Sequence, residues 1–148
     1  MSTPEARASV AQAAISAEAA ALAVQAAVDK ARELGIRVNA AVTDASGVLA
    51  AFLRMPGAFL HSVDIAIDKA YTSAGFGFAT AQWESILAAD AALARGMPQR
   101  PRLVVFGGGL PVREGGVLIG GIGVSGGSAE QDEICARAAL AALGLEET

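Results

Sequence analysis

Apolar residues recur along this chain with two different periods, and the change from one period to the other marks its first elements. A helical period of 3.6 follows Ser16, with Val24, Val28 and Ala31 on the inward face together with Ala17 and Ala21. Ser16 is a suitable N-cap, and Gly35 is a suitable C-terminal residue. A period of two then covers residues 36–43 and predicts a strand.

A turn signal, Asp44 to Gly47, separates that strand from a second one at residues 48–54, which predicts a hairpin. After Met55-Pro56-Gly57, a helix is predicted at about residues 60–76. Its apolar face should meet the sheet, and any chemistry should lie on the nearly opposite face. The apolar face carries Val63, Ile67, Ala70 and Ala74. The nearly opposite face carries His61, Ile65, Asp68 and Thr72.

The second half of the chain alternates short apolar runs with glycine turns. Thr80 is predicted to cap a short helix that ends at Leu87, and a helical or irregular connection follows over residues 88–97. Short strands are predicted at residues 103–106, 111–113 and 117–124. Ser128 and Gln131 have the spacing of a capping box, which predicts the start of the last helix.

Hairpin-linked strands flanked by helices predict an α+β fold, with a mainly antiparallel central sheet of about five strands covered by α-helices. The length of 148 residues suits one domain, which we place at residues 15–148 after a flexible N-terminal segment, residues 1–14. Hydrophobic residues make up 53% of the chain and aromatic residues only 5%, so its core is built from small side chains. Such a domain is expected to bury further apolar surface in a closed homo-oligomer.

Charge and composition narrow the function classes. The net charge of −4 and the lack of a dense basic cluster argue against a nucleic-acid partner. No apolar run approaches the roughly 20 residues of a membrane span, so no membrane partner is expected. The first residues resemble no signal peptide, and we expect a cytoplasmic location. One cysteine and one histidine cannot form a zinc cluster within a subunit, so no metal site is predicted.

Gly121, Gly123 and Gly126 have the G-x-G-x-x-G spacing of dinucleotide-binding proteins. That motif needs a following helix and then a second strand with an acidic residue roughly twenty positions later. Here one helix follows and no second strand does. We therefore interpret these glycines as positions where a strand and a helix pack closely.

Several residues could carry chemistry. His61 lies three residues before Asp64, a spacing at which the two side chains can meet on a helix and leave one ring nitrogen for a ligand. Lys69 could be a partly buried cation that binds an anion, or a general base with a lowered pKa. His61 and Lys69 are therefore the two candidates for a catalytic residue. The ligand-binding candidates are Arg54, Asp64, Asp68, Tyr71, Gly107, Gly108, Gly109, Ser125, Gly126 and Gly127.

Three segments, VTDASGVLAAFLRMPGA, SVDIAIDKAYTSAGFGFAT and IGGIGVSGGSAEQDEICARAAL, resemble the GlcG/HbpS-like family, also called the haem-degrading domain. The resemblance implies a profilin-like (GlcG-like) fold, a homo-oligomer, and a small-molecule-binding domain whose ligand is haem or a related tetrapyrrole. The residues leave open a cofactor-independent enzyme acting on a small oxo- or hydroxy-acid, with His61 or Lys69 moving a proton. They also leave open an accessory subunit that has no site.

Overall fold

A four-stranded antiparallel sheet forms the centre of the computed structural model, which describes residues 7–147. Its strands are β1 (Asn39–Asp44), β2 (Leu49–Arg54), β3 (Gly109–Glu114) and β4 (Val117–Ser125), in the order β2-β1-β4-β3. Pairing of β1 with β4 joins the two hairpins. The predicted α+β fold with an antiparallel sheet is therefore confirmed, with four strands where about five were expected.

Helices cover both faces of this sheet. The chain has the helices α1 (Ala17–Leu34), α2 (His61–Phe76), α3 (Trp83–Ala89), α4 (Ala91–Gly96) and α5 (Ala129–Ala142) in its described part, with 3-10 turns at Thr80–Gln82 and Met97–Gln99. Of these, α1, α2 and α5 cover the sheet. Helices α1 and α5 pack together on one face, over the Val and Ile side chains of β1 and β4. Helix α2 covers the other face, where Ala66 and Ala70 meet Ala41. The described part of the N-terminal segment, residues 7–14, has no helix or strand, and residues 1–6 lie outside the described residues.

The predicted ends of the first and last helices are confirmed. Ser16 Oγ accepts a hydrogen bond from the amide of Ala19 at 3.1 Å, and Gly35 ends α1 with a φ of 72°. Ser128 and Gln131 form the reciprocal capping box. Ala17 and Ala21 are exposed, however, because the inward stripe of α1 runs through Ala20, Ala23, Val24, Ala27, Val28 and Ala31.

Two predictions for the middle of the chain are wrong. Residues 103–106 form no strand, because the amide of Val104 donates to Thr72 Oγ1 of α2 at 3.1 Å instead of pairing with a neighbouring strand. Thr80 is not a cap, since Ala79 is the N-cap residue of the 3-10 turn. The Thr80 hydroxyl instead accepts from the amide of Gly109 at 2.9 Å, which fixes the start of β3.

The face of α2 that meets the sheet differs in part from the prediction, since Ala70 and Ala74 are buried as expected but other positions are not. Its buried residues are Ser62, Ala66, Lys69, Ala70, Thr72, Ser73 and Ala74, whereas Val63 and Ile67 are half-buried. The cause lies in β4, where a Cβ at Gly121 or Gly123 would collide with the backbone oxygen of Ala70 or Ala66. The helix lies so close to the strand that small side chains fill the contact. The interpretation of these glycines as packing positions is confirmed.

Candidate functional site

The predicted site residues lie in three places along α2 and do not form one site. Lys69 and the glycine turns form a buried group at the end of β4. Arg54, His61 and Asp64 lie where α2 begins, and Asp68 and Tyr71 lie beside the segment that precedes β3. The three places differ in their contacts and in whether their polar groups are exposed to solvent.

The first place, the Lys69 cluster, consists of Lys69, Asp132, Gly127 and the carbonyl of Val124. Lys69 Nζ donates to the Val124 carbonyl at 2.8 Å and to Asp132 Oδ2 at 3.0 Å. Asp132 Oδ1 accepts from the amide of Gly127 at 2.8 Å. The side chains of Lys69 and Asp132 are 0% and 3% exposed. The predicted partly buried lysine is therefore fully buried, with a carboxylate that the sequence analysis did not assign to it.

The glycine turn before β3 makes room for this lysine. A Cβ at Gly108 would lie 2.5 Å from Lys69 Nζ, and a Cβ at Gly109 would lie 2.6 Å from the Lys69 carbonyl oxygen. A Cβ at Gly107 would lie 3.3 Å from the carbonyl oxygen of Ala129, which is a less severe contact. Gly109 is the first residue of β3 and Ser125 is the last residue of β4, so the turns are shorter than predicted. Packing around Lys69 explains Gly108 and Gly109, whereas Gly126 lies against the backbone of Arg37 and Gly127 against Gln131.

Burial and charge act against each other in the Lys69 cluster. Burial lowers the pKa of Lys69, although the attraction of Asp132 opposes that change. Burial likewise raises the pKa of Asp132, although Lys69 and the amides of Gly127 and Gly126 oppose it. Because water does not reach either group, the cluster joins α2 to α5 and presents no proton to a ligand. A lysine among the small side chains of a helix face could have indicated a buried carboxylate partner, but 63 residues separate the two.

The second place, the α2 corner, consists of Arg54, Phe59, Leu60, His61 and Asp64. His61 is the first residue of α2 and is exposed, and it follows Phe59 and Leu60, which are 68% and 77% exposed. Arg54 Nη2 donates to the carbonyl of Ala58 at 2.8 Å, which holds the guanidinium beside this loop. His61 and Asp64 make no hydrogen bond or ion pair with each other within residues 7–147. The corner therefore combines an accessible imidazole, two exposed apolar side chains and a guanidinium.

A row of polar residues supports the α2 corner from the sheet. Asn39 pairs with Arg54 on β2 and with Ser125 on β4, so the three residues lie side by side across three strands. Asn39 Nδ2 donates to the carbonyl of Phe59 at 3.3 Å, which ties the corner loop to β1. Asn39 Oδ1 is buried and has no partner among the described residues. Ser125, predicted as a ligand-binding residue of a turn, is buried in this row.

The third place, the Tyr71 pocket, is a cavity of about 350 Å³ lined by residues 45–47, 71, 72, 75, 76, 97 and 100–103. Asp68 accepts an ion-pair hydrogen bond from Arg102 Nε at 2.9 Å beside it. The guanidinium carbon of Arg102 lies 3.6 Å from the centroid of the Tyr71 ring. Arg102 was not a predicted site residue, although its position between Pro101 and an apolar run marks a turn.

Within residues 7–147 no group of three or more His, Cys, Asp or Glu side chains could hold a metal ion. In the same part of the chain, no helix has the length and apolar character needed to cross a membrane.

Known proteins resemble this chain over most of its length. It is 38% identical to the corrinoid adenosyltransferase PduO of Salmonella typhimurium over 123 residues, which are 82% of this chain but only 36% of that relative. The crystal structure of a PduOC:Heme complex matches it with a TM-score of 0.81 and 35% identity, covering 87% of this chain and 94% of the other. The crystal structure of HbpS matches with a TM-score of 0.84 and 34% identity, covering 95% and 99%. The family model described as haem degrading protein HbpS-like matches residues 15–141, and the chain belongs to this family.

Proposed function

We propose that this chain is a small-molecule-binding domain that takes haem or a related tetrapyrrole at the α2 corner. The observation that carries the proposal is the position of His61. The one imidazole of the chain is exposed next to Phe59 and Leu60, whose apolar side chains are largely in solvent. Exposed large apolar side chains that lie together are typical of a surface that binds a partner or a ligand.

Four side chains of the α2 corner are suited to contacts with haem. Histidine is a common axial ligand of haem iron, and His61 presents its imidazole to solvent. Phe59 and Leu60 offer apolar contact to a flat macrocycle, and the Arg54 guanidinium is suited to a carboxylate. When bound, haem supplies the redox and ligand-exchange chemistry of its iron. His61 would hold the iron, Arg54 would pair with a carboxylate, and Phe59 and Leu60 would shield the macrocycle from water.

The comparisons support the choice of ligand. One relative of known structure was crystallised as a PduOC:Heme complex, and the matching family is described as haem degrading. The chain spans about a third of the corrinoid adenosyltransferase PduO, so that activity is not carried over to it. The proposal of a proton-transferring enzyme gains no support from the site, because the nitrogen of Lys69 is buried against Asp132.

A haem titration tests the proposal. We expect a Soret shift that saturates near one haem per chain, and a changed spectrum with weaker binding in His61→Ala. Phe59→Ser and Leu60→Ser should each weaken binding, whereas Leu22→Ser, an exposed apolar residue on α1, should not. The absence of a Soret shift at near-stoichiometric haem would show that the chain does not bind haem. A Soret shift that is the same in His61→Ala would show that His61 is not the ligand of the haem iron.

We also infer that the domain forms a closed homo-oligomer in the cytoplasm, with a ligand site near a subunit boundary. Phe59, Leu60 and Phe106 are large apolar side chains that are exposed in the single chain, and their burial would stabilise an assembly. Sedimentation should give a mass of at least two chains, each of 14.8 kDa. A stable monomer at micromolar concentration would contradict the oligomer, and recovery of the protein from a membrane or extracellular fraction would contradict the location.

A further inference from the structure

The Tyr71 pocket is a concave site that the haem proposal does not use. Its volume of about 350 Å³ lies within the roughly 300–1,000 Å³ range usual for small-molecule sites. Tyr71 and His61 are ten residues apart on α2, which separates them by roughly 15 Å along the helix axis. The pocket is therefore a separate place on the molecule from the α2 corner.

The charged side chains of the pocket are suited to an anion. Arg100 and Arg102 line it, and no acidic residue does so among the described lining residues. Asp68 engages Nε of Arg102 from the side, and within residues 7–147 the two Nη groups have no partner. The side chain of Arg100 likewise makes no hydrogen bond or ion pair with a described residue. A carboxylate could accept two parallel hydrogen bonds from the free edge of such a guanidinium.

The carbonyl end of α2 would oppose a bound anion if it were uncompensated. Gly77, which ends the helix, has its carbonyl oxygen hydrogen-bonded by Arg113 Nη2 at 2.5 Å. That contact places a third guanidinium at the helix end. The guanidinium groups of Arg100, Arg102 and Arg113 therefore lie at or beside this end of α2, with the Asp68 carboxylate paired to Arg102.

Arg102 is held in place before any ligand arrives. Its φ of 65° makes it the one non-glycine residue with a left-handed backbone among the described residues. Its carbonyl accepts from Thr72 Oγ1 at 3.0 Å, and its guanidinium is fixed by Asp68 and by the Tyr71 ring. Backbone strain of this kind persists only where surrounding contacts impose it, and it is concentrated at ligand sites. A preorganised guanidinium loses little conformational entropy on binding.

The rest of the lining is apolar or small. Phe76, Met97 and Leu103 are its large apolar residues, and the glycine turn at Gly47 lies so close to the Tyr71 ring that a Cβ there would be 2.9 Å from Cδ2. We propose that the Tyr71 pocket binds a small carboxylate with a flat apolar body. Arg102 and Arg100 hold the carboxylate, and Phe76 and Met97 contact the body.

Benzoate and its neutral isostere benzamide test this proposal. Tyr71 is the only tyrosine of the chain, so ring-labelled tyrosine gives one local NMR signal set. Benzoate should shift that signal saturably, and benzamide should bind roughly tenfold more weakly because it carries no charge. Equal affinity for the two compounds, or the absence of a saturable shift, would overturn the proposal.

Matched variants locate the anion. Arg102→Gln and Arg100→Gln should each lower benzoate affinity roughly tenfold, and Arg95→Gln, on α4 outside the pocket, should leave it unchanged. If Arg102→Gln proves unfolded by circular dichroism, Arg100→Gln decides the question. Unchanged affinity in the folded pocket variants would overturn the proposal. His61→Ala should bind benzoate as the parent does, and a loss there would place the anion at the α2 corner and overturn the proposal as well.

Discussion

Lys69 Nζ lies 3.0 Å from Asp132 Oδ2, and this buried contact joins two helices that cover opposite faces of the sheet. Lys69 reaches from α2 past the end of β4, where the carbonyl of Val124 accepts its second hydrogen bond. Gly108 leaves the space that the ammonium occupies. The residue that the sequence offered as a catalytic candidate thus determines how the two helical layers are held together.

Removing one member of this pair should be strongly destabilising. Lys69→Met leaves the Asp132 carboxylate buried without its cation, and Asp132→Asn leaves the ammonium buried without its anion. Each substitution should lower the free energy of unfolding by about 3 to 5 kcal/mol. Urea denaturation followed by circular dichroism measures the change.

The double variant and a surface pair provide the controls for that prediction. Combining Lys69→Met with Asp132→Asn should cost less than the sum of the single changes, because neither charge then remains unpaired. Lys30→Met, which breaks the exposed pair with Glu33, should change stability by less than about 1 kcal/mol. Additive single effects would show that Lys69 and Asp132 are not coupled.

The close contact between α2 and β4 should make the glycines of β4 sensitive to substitution. Gly123→Ala would place a Cβ against the Ala66 carbonyl and 2.4 Å from the Ala70 amide, so the helix must move away from the strand. We expect a loss of about 3 kcal/mol or failure to fold, which is at the high end for overpacking. Thermal unfolding measures the effect.

Gly75→Ala is the matched control on the same helix. A Cβ at Gly75 would meet nothing within 4 Å, and the residue is exposed. Alanine should therefore stabilise α2 by roughly 0.5 to 1 kcal/mol. Equal effects of the two substitutions would contradict the packing explanation of the β4 glycines.

Cys135 should make stability depend on pH in the alkaline range. Burial, with a further contribution from Asp132, raises the pKa of this thiol to about 11. Since the folded pKa is above the unfolded value of about 9, its contribution is complete below pH 9 and is lost as the pH rises through 11. The free energy of unfolding should then fall by up to about 2 to 3 kcal/mol more than in Cys135→Ala.

Thiol modification gives an independent check on Cys135. The folded protein should react slowly with a thiol reagent at pH 8, because the sulfur is buried and uncharged. Denaturant should restore normal reactivity. Rapid labelling of the folded chain, or identical pH profiles for the parent and Cys135→Ala, would show that the thiol is accessible.

The sequence predicted those parts of the fold that are determined by neighbouring residues. Ser16, Gly35 and the Ser128–Gln131 box were identified correctly because a cap depends on residues within one turn of it. Residues 103–106 have the apolar pattern of a strand, and only their contact with Thr72 shows that they pass along α2. The apolar pattern of α2 placed Ala70 and Ala74 correctly against the sheet, but it missed Ala66 and Ser73 because the distant glycines of β4 select small side chains.

The candidate site was harder to predict for the same reason. Lys69, Tyr71 and His61 were each identified as residues with chemical potential, but the helix distributes them over separate surroundings. The partners that define those surroundings are Asp132 and Arg102, which come from distant segments. Residue type indicated where chemistry could occur, whereas burial determines which groups a ligand can reach.

Two buried threonines that differ in their hydrogen bonds give a last prediction. Thr72 Oγ1 donates to the Arg102 carbonyl at 3.0 Å and accepts from the Val104 amide at 3.1 Å, so it fixes the segment that forms the Tyr71 pocket. Thr43 Oγ1 is buried and has no partner among the described residues. Valine has nearly the shape of threonine and lacks the hydroxyl.

Thr72→Val should therefore lower the free energy of unfolding by about 1 to 3 kcal/mol, because it leaves a buried amide and a carbonyl without their partner. Thr43→Val should be neutral or stabilising, since it removes a hydroxyl that is already unsatisfied. Chemical denaturation of the two variants beside the parent measures both changes. A destabilising effect of Thr43→Val would show that the Thr43 hydroxyl has a partner in solution. An unchanged free energy of unfolding in Thr72→Val would show that the Thr72 hydroxyl does not hold the segment that carries Arg102.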